Sequence, residues 1–466
     1  MGRGWPVGFV LAVLGCGRIG FDAVGGGVAS DANTNPPPDG FGPAATGCGP
    51  LPPTGSVVYV ATTGDDNSGD GTMGSPYRTI QRTYDRVAPG TTILVQPGVY
   101  ATPLDLTRTV SPERIAIAAV TPYTVTVEDL SQPLSCSGCT GLVLDGLYVH
   151  ATGSGGLPVL HINGGQDVVI RNCIVDNSGS SATIRLSGDP VNVTVLRNMV
   201  FDGNPPLHAA QITDVSIVDN LVVHTRMLNG PLMWLESPLG GTSRIQRNIL
   251  AGFRGCIDCG MLEMRLDTGT RVESNLLVSS TAQSDGAFKL EGPIDATIQF
   301  NTVVGDVPGT AFALTGTEYN ATPVSSLILR NNVFADPTGT LGDFSDGTTT
   351  DIPSPVLMSN AYWNNGAAMP PGVNDSVDWT NDPQAVLADP ELPSFAAFTP
   401  PVWDAANHQF ADGSKTICDE FYRIALSYGM PAAGSPLVGA ATGPDRPLDL
   451  LGFARTKGAI GALEPQ

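Results

Sequence analysis

Lys289 is the only lysine before position 415. It stands in a triplet, Lys289-Leu290-Glu291, whose type returns as Arg265-Leu266-Asp267 and Trp234-Leu235-Glu236. In an extended chain the first and third residues of such a triplet share one face, and the middle one points the other way. Three triplets laid side by side would set the carboxylates of Glu236, Asp267 and Glu291 beside two cations and one indole. Grouped carboxylates can bind a hard cation such as calcium, which takes about six to eight oxygens and would need more ligands from loops. A lysine can serve as a general base, and Trp234 can stack on a sugar ring. The same pattern also describes an exposed sheet that neutralises its own charges, at roughly 0.2 to 1 kcal/mol per cross-strand pair.

What would lay the triplets side by side is a repeat. Further copies read His161-Ile162-Asn163, Arg185-Leu186-Ser187, Gln211-Ile212-Thr213 and Ala313-Leu314-Thr315. Downstream of each comes an asparagine followed by an apolar run, at Asn172, Asn198, Asn220, Asn248, Asn275, Asn301 and Asn331, spaced 22 to 30 residues apart. Short strands at such a period, with Gly, Asp and Asn at the corners and no helical pattern, predict a parallel β-solenoid in which each coil pairs with the next. A leucine-rich horseshoe would need leucines at fixed offsets and a helical half-repeat, which are absent. Asparagine suits a bend because it tolerates left-handed backbone angles, and its amide can bond the equivalent amide one coil away. Stacking predicts one outward row of His161, Arg185, Gln211, Trp234, Arg265, Lys289 and Ala313. A second row follows: Asn163, Ser187, Thr213, Glu236, Asp267, Glu291 and Thr315. His161, Arg185 and Trp234 are then candidate glycan contacts. His224 and Arg226, in the loop after the third asparagine, are candidates to overhang the same face, but a lone exposed histidine is usually unremarkable and that reading is preferred.

The chain has 466 residues and a formal net charge of −21. That balance excludes a basic footprint for nucleic acid. Arg3 and the apolar run Val7 to Leu14 read as an export signal too short to span a bilayer. Its ending, Val13-Leu14-Gly15-Cys16, resembles a bacterial lipobox, which implies lipidation of Cys16 and contact with a membrane only through that lipid. Residues 17 to 54 are rich in Gly, Ala, Asn, Asp and Pro and read as a disordered tether. Residues 55 to 466 form one elongated domain, expected as a monomer, with irregular coils and a cap over 336 to 466. A helical pattern over 415 to 429, with Ile417, Phe421, Ile424 and Leu426 apolar, is expected to pack on the C-terminal end of the stack.

Eight cysteines occur. Once Cys16 carries lipid, an odd number remains, so at least one thiol is free or buried. Cys136-Ser-Gly-Cys139 and Cys256-Ile-Asp-Cys259 have a spacing compatible with local disulfides, a structural metal or free thiols. Export to an oxidising compartment favours disulfides. Cys173 falls where other coils place apolar residues and reads as core.

The stretch from Val57 to Tyr100 reads strand, loop, short helix near Ile80 to Val87, turn, strand. Gly71, Thr72, Pro76, Thr79, Ile80, Pro89, Gly90, Pro97, Gly98 and Tyr100 match the N-terminal entry of right-handed parallel β-helix proteins of the pectate-lyase superfamily, which this segment resembles. Near the other end, Asp389-Pro390, Gly434-Ser435-Pro436-Leu437, Asp449, Gly452, Arg455, Gly458 and Ile460-Gly461-Ala462-Leu463-Glu464 resemble the choice-of-anchor Q motif. Val438-Gly439-Ala440 departs from it. The resemblance implies an all-β, right-handed parallel β-helix with a short N-terminal capping helix. It also implies candidate roles in β-elimination: Lys289 as base, Arg265 as partner of a uronic carboxylate, and calcium on Glu236, Asp267 and Glu291.

Folds of this kind carry many functions, so the site must decide. The expected function is an exported, lipid-anchored surface protein, at the outer membrane or cell surface, that binds a polysaccharide or other surface partner without catalysis. A polysaccharide lyase acting on an acidic glycan is the alternative. A glycoside hydrolase using Asp267 with Glu236 or Glu291 stands behind both.

Overall fold

The computed structural model describes residues 52–465, except 111, 154, 227–229, 237–242, 254–258, 267, 281–285, 307–313, 318–321, 371 and 373–374. The expected signal, lipidated Cys16 and most of the tether lie outside the described residues. So do Asp267, Cys256 and Ala313.

The described chain winds into a parallel β-solenoid. One coil runs through Leu160–Asn163, Gln166–Arg171 and Ile174–Asn177; the next runs through Ile184–Ser187, Val191–Leu196 and Met199–Phe201. Corresponding strands pair in parallel, building sheets of twelve, ten and eleven strands. Alternation fixes which residues face inward. In the ten-stranded sheet Leu160 with Ile162, Ile184 with Leu186, Met233 with Leu235, and Phe288 with Leu290 are buried within one continuous core. Burying one such side chain contributes about 1.5 to 3 kcal/mol. The core therefore grows with every coil added.

At one corner, asparagine amides form an unbroken ladder. Asn198, Asn220, Asn248, Asn275, Asn301 and Asn332 each donate an amide N–H to the carbonyl oxygen of the next asparagine, at 2.9 to 3.0 Å, as far as Asn360. Asn360 ends the series by donating to the Asp382 carboxylate at 2.9 Å. The left-handed angle expected of these asparagines belongs to the preceding residue: Arg197, Asp219, Arg247, Ser274, Phe300, Asn331 and Ser359 all have positive φ. Asn172 and Asn331 are therefore corner residues, and the ladder positions beside them are Cys173 and Asn332. Cys173 donates its backbone N–H to Asn198 at 3.0 Å. Its thiol is free and buried, as expected of a core residue, and burial pushes its pKa up to about 12.

Helix α1 (Ile80–Arg86) starts at Thr79, whose hydroxyl accepts from the Arg82 N–H, and adds Ile80 and Tyr84 to the core. Cys136 and Cys139 form a disulfide, and Cys259 is also disulfide-bonded.

Helix α2 (Ile417–Tyr428) forms behind a capping box of Thr416 and Asp419. It lies along the flank of the solenoid, which corrects the expectation of an end cap. Ile417, Phe421, Ile424, Ala425 and Tyr428 share one buried cluster with Met199, Leu221, Ile249 and Leu276, the outward residues of the eleven-stranded sheet. Leu426, counted as apolar contact, is 48% exposed.

The C-terminal motif fastens the segment after α2 to the same flank. Ser435 donates to the Pro390 carbonyl at 2.7 Å. Buried Arg455 sits 4.4 Å over the Phe300 ring, and Glu464 accepts from the Thr456 and Ala459 N–H groups at 2.6 and 3.0 Å.

Candidate functional site

The ten-stranded sheet turns its outer face away from the C-terminal segment's flank and carries the predicted triplets. Its register runs Ser135, His161, Arg185, His208, Trp234, Glu263, Lys289, Thr315 along one row. A neighbouring row reads Ala210, Glu236, Arg265, Glu291, Thr317. His161, Arg185, Trp234 and Lys289 therefore stand where the sequence places them. Arg265 does not: it occupies the second row, and Glu263 takes the place assigned to it.

The cause is a two-residue slip. A shift of two keeps every side chain on its face, so Arg265-Leu266-Asp267 satisfies the pattern as well as the true Glu263-Met264-Arg265. Leu266 is a corner residue with φ 53°, while Leu262 and Met264 fill the core. The Ala313 copy slips likewise, with Leu314 paired to Phe288. Gln211 is an exposed corner residue with φ 55°; the strand is Leu207–Ala210, which brings in His208. His208 and Glu263 are the site residues that sequence reasoning missed. Placing the paired inward residues Leu207/Ala209 and Leu262/Met264 first would have found both.

Arg265 bridges the two carboxylates on either side of it in the row. Its guanidinium bonds Glu291 and lies 3.5 Å from Glu236. A guanidinium thus stands between Glu236 and Glu291, where the calcium reading puts a metal ion. Among the described residues no group of three His, Cys, Asp or Glu side chains is placed to hold one. Lys289 is 4% exposed, and its ammonium lies 3.2 Å from Glu291. Beside it, Glu263 accepts the Gly260 N–H at 3.2 Å. Burial raises the Glu263 carboxyl to about 7, against the opposing pull of Lys289.

Trp234 is held between neighbouring coils. His208 stacks on it at 4.7 Å with 8° between planes, and the Arg265 guanidinium lies 5.2 Å from the ring centre. With His208 one coil before and Arg265 one coil after, both faces of the indole are taken. Trp234 thus packs as part of the ladder.

The other half of the face is different. Arg185 lies between His161 and His208 in register and makes no ion pair among the described residues; its Nε is buried without a hydrogen-bond partner. Both imidazoles are held neutral. Burial, and then the Arg185 charge, lowers His161 and pushes His208 down to about 4. His161 Nε2 also bonds the Ser187 hydroxyl at 2.8 Å. Arg185 is the cation of this half, with neutral polar groups beside it and the Asp105 carboxylate three coils earlier in the same row.

His224 and Arg226 do not overhang this face. His224 is buried, with Nε2 3.2 Å from the Gly203 carbonyl, and Arg226 pairs with Asp202 at 3.0 Å.

No protein-family model matches the chain, and no curated protein matches it by sequence. Among solved structures it is similar to pectate lyase Pel9A, with a TM-score of 0.52 and 13% identity, covering 89% of this chain and 97% of that one. Weaker likenesses are to XylC solved with xylose (TM-score 0.47, 10% identity, 72% of this chain and 87% of that one). A GH136 lacto-N-biosidase from Eubacterium ramulus follows (TM-score 0.44, 13% identity, 72% and 68%). At such identities the likeness to the pectate lyase is one of fold: this chain is an all-β parallel solenoid of the same general architecture.

Proposed function

We propose that this protein is an exported, lipid-tethered β-solenoid that binds an acidic polysaccharide along the outer face of its ten-stranded sheet and leaves it chemically unchanged. The carrying observation is the split character of that face. Arg185 stands without a carboxylate partner between two neutral imidazoles, an arrangement that recognises a carboxylate or sulfate through charge-assisted hydrogen bonds. Arg265 and Lys289, which a lyase would need for its reaction, are instead held by Glu236 and Glu291. The similarity to a pectate lyase supports a glycan as partner. Gel retardation with a panel of acidic and neutral polysaccharides tests the reading. Acidic polymers should slow the full-length protein, and Arg185→Gln should weaken that binding by about tenfold or more, the scale of one charge-assisted hydrogen bond. Equal retardation of wild type and variant would refute the assignment.

A catalytic reading keeps one specific observation, the Glu263 carboxyl raised to about 7 beside Lys289. It makes the chain a polysaccharide lyase, and the ultraviolet absorbance of an unsaturated uronate product tests it.

A further inference from the structure

On the outer face of the eleven-stranded sheet, one row reads Phe201, Val223, Ala251 through consecutive coils, all buried. In the three coils directly before them the same row reads Glu128, His150 and Asp176. The row thus changes from polar to apolar between Asp176 and Phe201. A hairpin of the C-terminal segment, Trp403–Asp404 with Gln409–Phe410, passes over the polar part, with the Trp403 ring 5.6 Å from Tyr123 and 6.4 Å from Tyr148. Between hairpin and sheet lies a cavity of about 480 Å³, lined among others by Thr126, Glu128, Tyr148, His150 and His408. Its volume is in the range of small-molecule sites. Apolar side chains would close it, as they do in the following coils. The Tyr148 ring packs against Trp403, but packing does not call for the Glu128 carboxylate or the imidazoles of His150 and His408.

The polar groups are ordered by one another. His150 Nδ1 lies 3.1 Å from Asp176 Oδ2, and the Tyr148 hydroxyl donates to the same oxygen at 3.5 Å. The His150 and Tyr148 rings stack at 5.6 Å. Asp176 is thereby committed to its neighbours. Glu128, beside His150 in the register, has no ion pair or hydrogen bond among the described residues and lines the cavity. The charge left facing a ligand is therefore negative, with imidazole and hydroxyl groups around it.

We propose that this cavity binds a small ligand carrying an ammonium group and hydroxyls, an amino sugar in its free-amine form, with the ammonium on Glu128 and hydroxyls on His150 and Thr126. The site is separate from the Arg185 face and opposite to it in charge. Isothermal titration of the full-length protein with glucosamine, N-acetylglucosamine and glucose tests it. Glucosamine should bind, and the two uncharged sugars should bind about tenfold or more weakly. Glu128→Gln should remove most of that preference without moving the melting temperature, since Glu128 is partly exposed and unpaired. Arg185→Gln should leave it intact, so failure here and failure of the polysaccharide reading are distinguishable. No binding of glucosamine, equal binding of glucose, or an unaltered preference in a folded Glu128→Gln variant would overturn the proposal.

Discussion

Arg185 and Glu263 show how position on one face separates two kinds of charged residue. Arg185 owes its availability to imidazoles that burial keeps uncharged. Glu263 owes its raised pKa to burial that Lys289 offsets only in part. A raised carboxyl means that the folded state holds a proton that the unfolded state gives up at lower pH. Stability therefore falls as pH rises from the ordinary glutamate range to about 7, and is not regained above it. His208, pushed down to about 4, acts oppositely, raising stability as pH climbs from about 4 toward the ordinary histidine range. Glu263→Gln isolates the first effect. The variant should gain on wild type in melting temperature between pH 5 and pH 8, and a constant difference across that range would contradict the assignment. The sequence showed Arg185, Lys289, Trp234 and His161 in place because their triplets contain the true strand. It misplaced Arg265 and hid Glu263, since a two-residue slip leaves alternation satisfied and only the core partners Leu262 and Met264 break the tie; it hid His208 because the Gln211 corner, three residues on, reads as strand.

The asparagine ladder and helix α2 are the elements that hold coils and flank together. Asn248 donates to the Ile217 carbonyl at 2.8 Å and to Asn275 at 3.0 Å, while accepting from the Asn220 N–H at 3.0 Å. Asn248→Ala leaves several buried groups unpaired and should cost roughly 2 to 4 kcal/mol in denaturant unfolding. A loss near zero would mean that the amides carry no such load. The ladder was legible because asparagine recurs at one interval. The left-handed residue before it was not, since Arg197, Phe300 and Ser274 all occupy that corner and share no chemistry. The helical pattern of α2 was likewise legible in Ile417, Phe421 and Ile424. Its docking place was not, because an apolar stripe names no partner. The partner is a second set of apolar residues, Met199, Leu221, Ile249 and Leu276, which read in sequence as ordinary strand residues.

At the scale of the whole molecule, the C-terminal segment covers the flank formed by the eleven-stranded sheet, and the proposal sets a long polymer along the ten-stranded one. Cys16→Ser should abolish incorporation of labelled fatty acid and release the protein into the medium or a soluble fraction; a variant that stays membrane-bound would refute lipid anchoring at that residue. The central claim is binding to an acidic glycan without turnover. Its most direct test follows ultraviolet absorbance during incubation of the full-length protein with the acidic polysaccharides that retard it, with and without calcium, beside Lys289→Ala. The account predicts retardation with no growth of the unsaturated-uronate absorbance in any sample. An absorbance that rises with wild type and vanishes with Lys289→Ala would contradict it and identify a lyase.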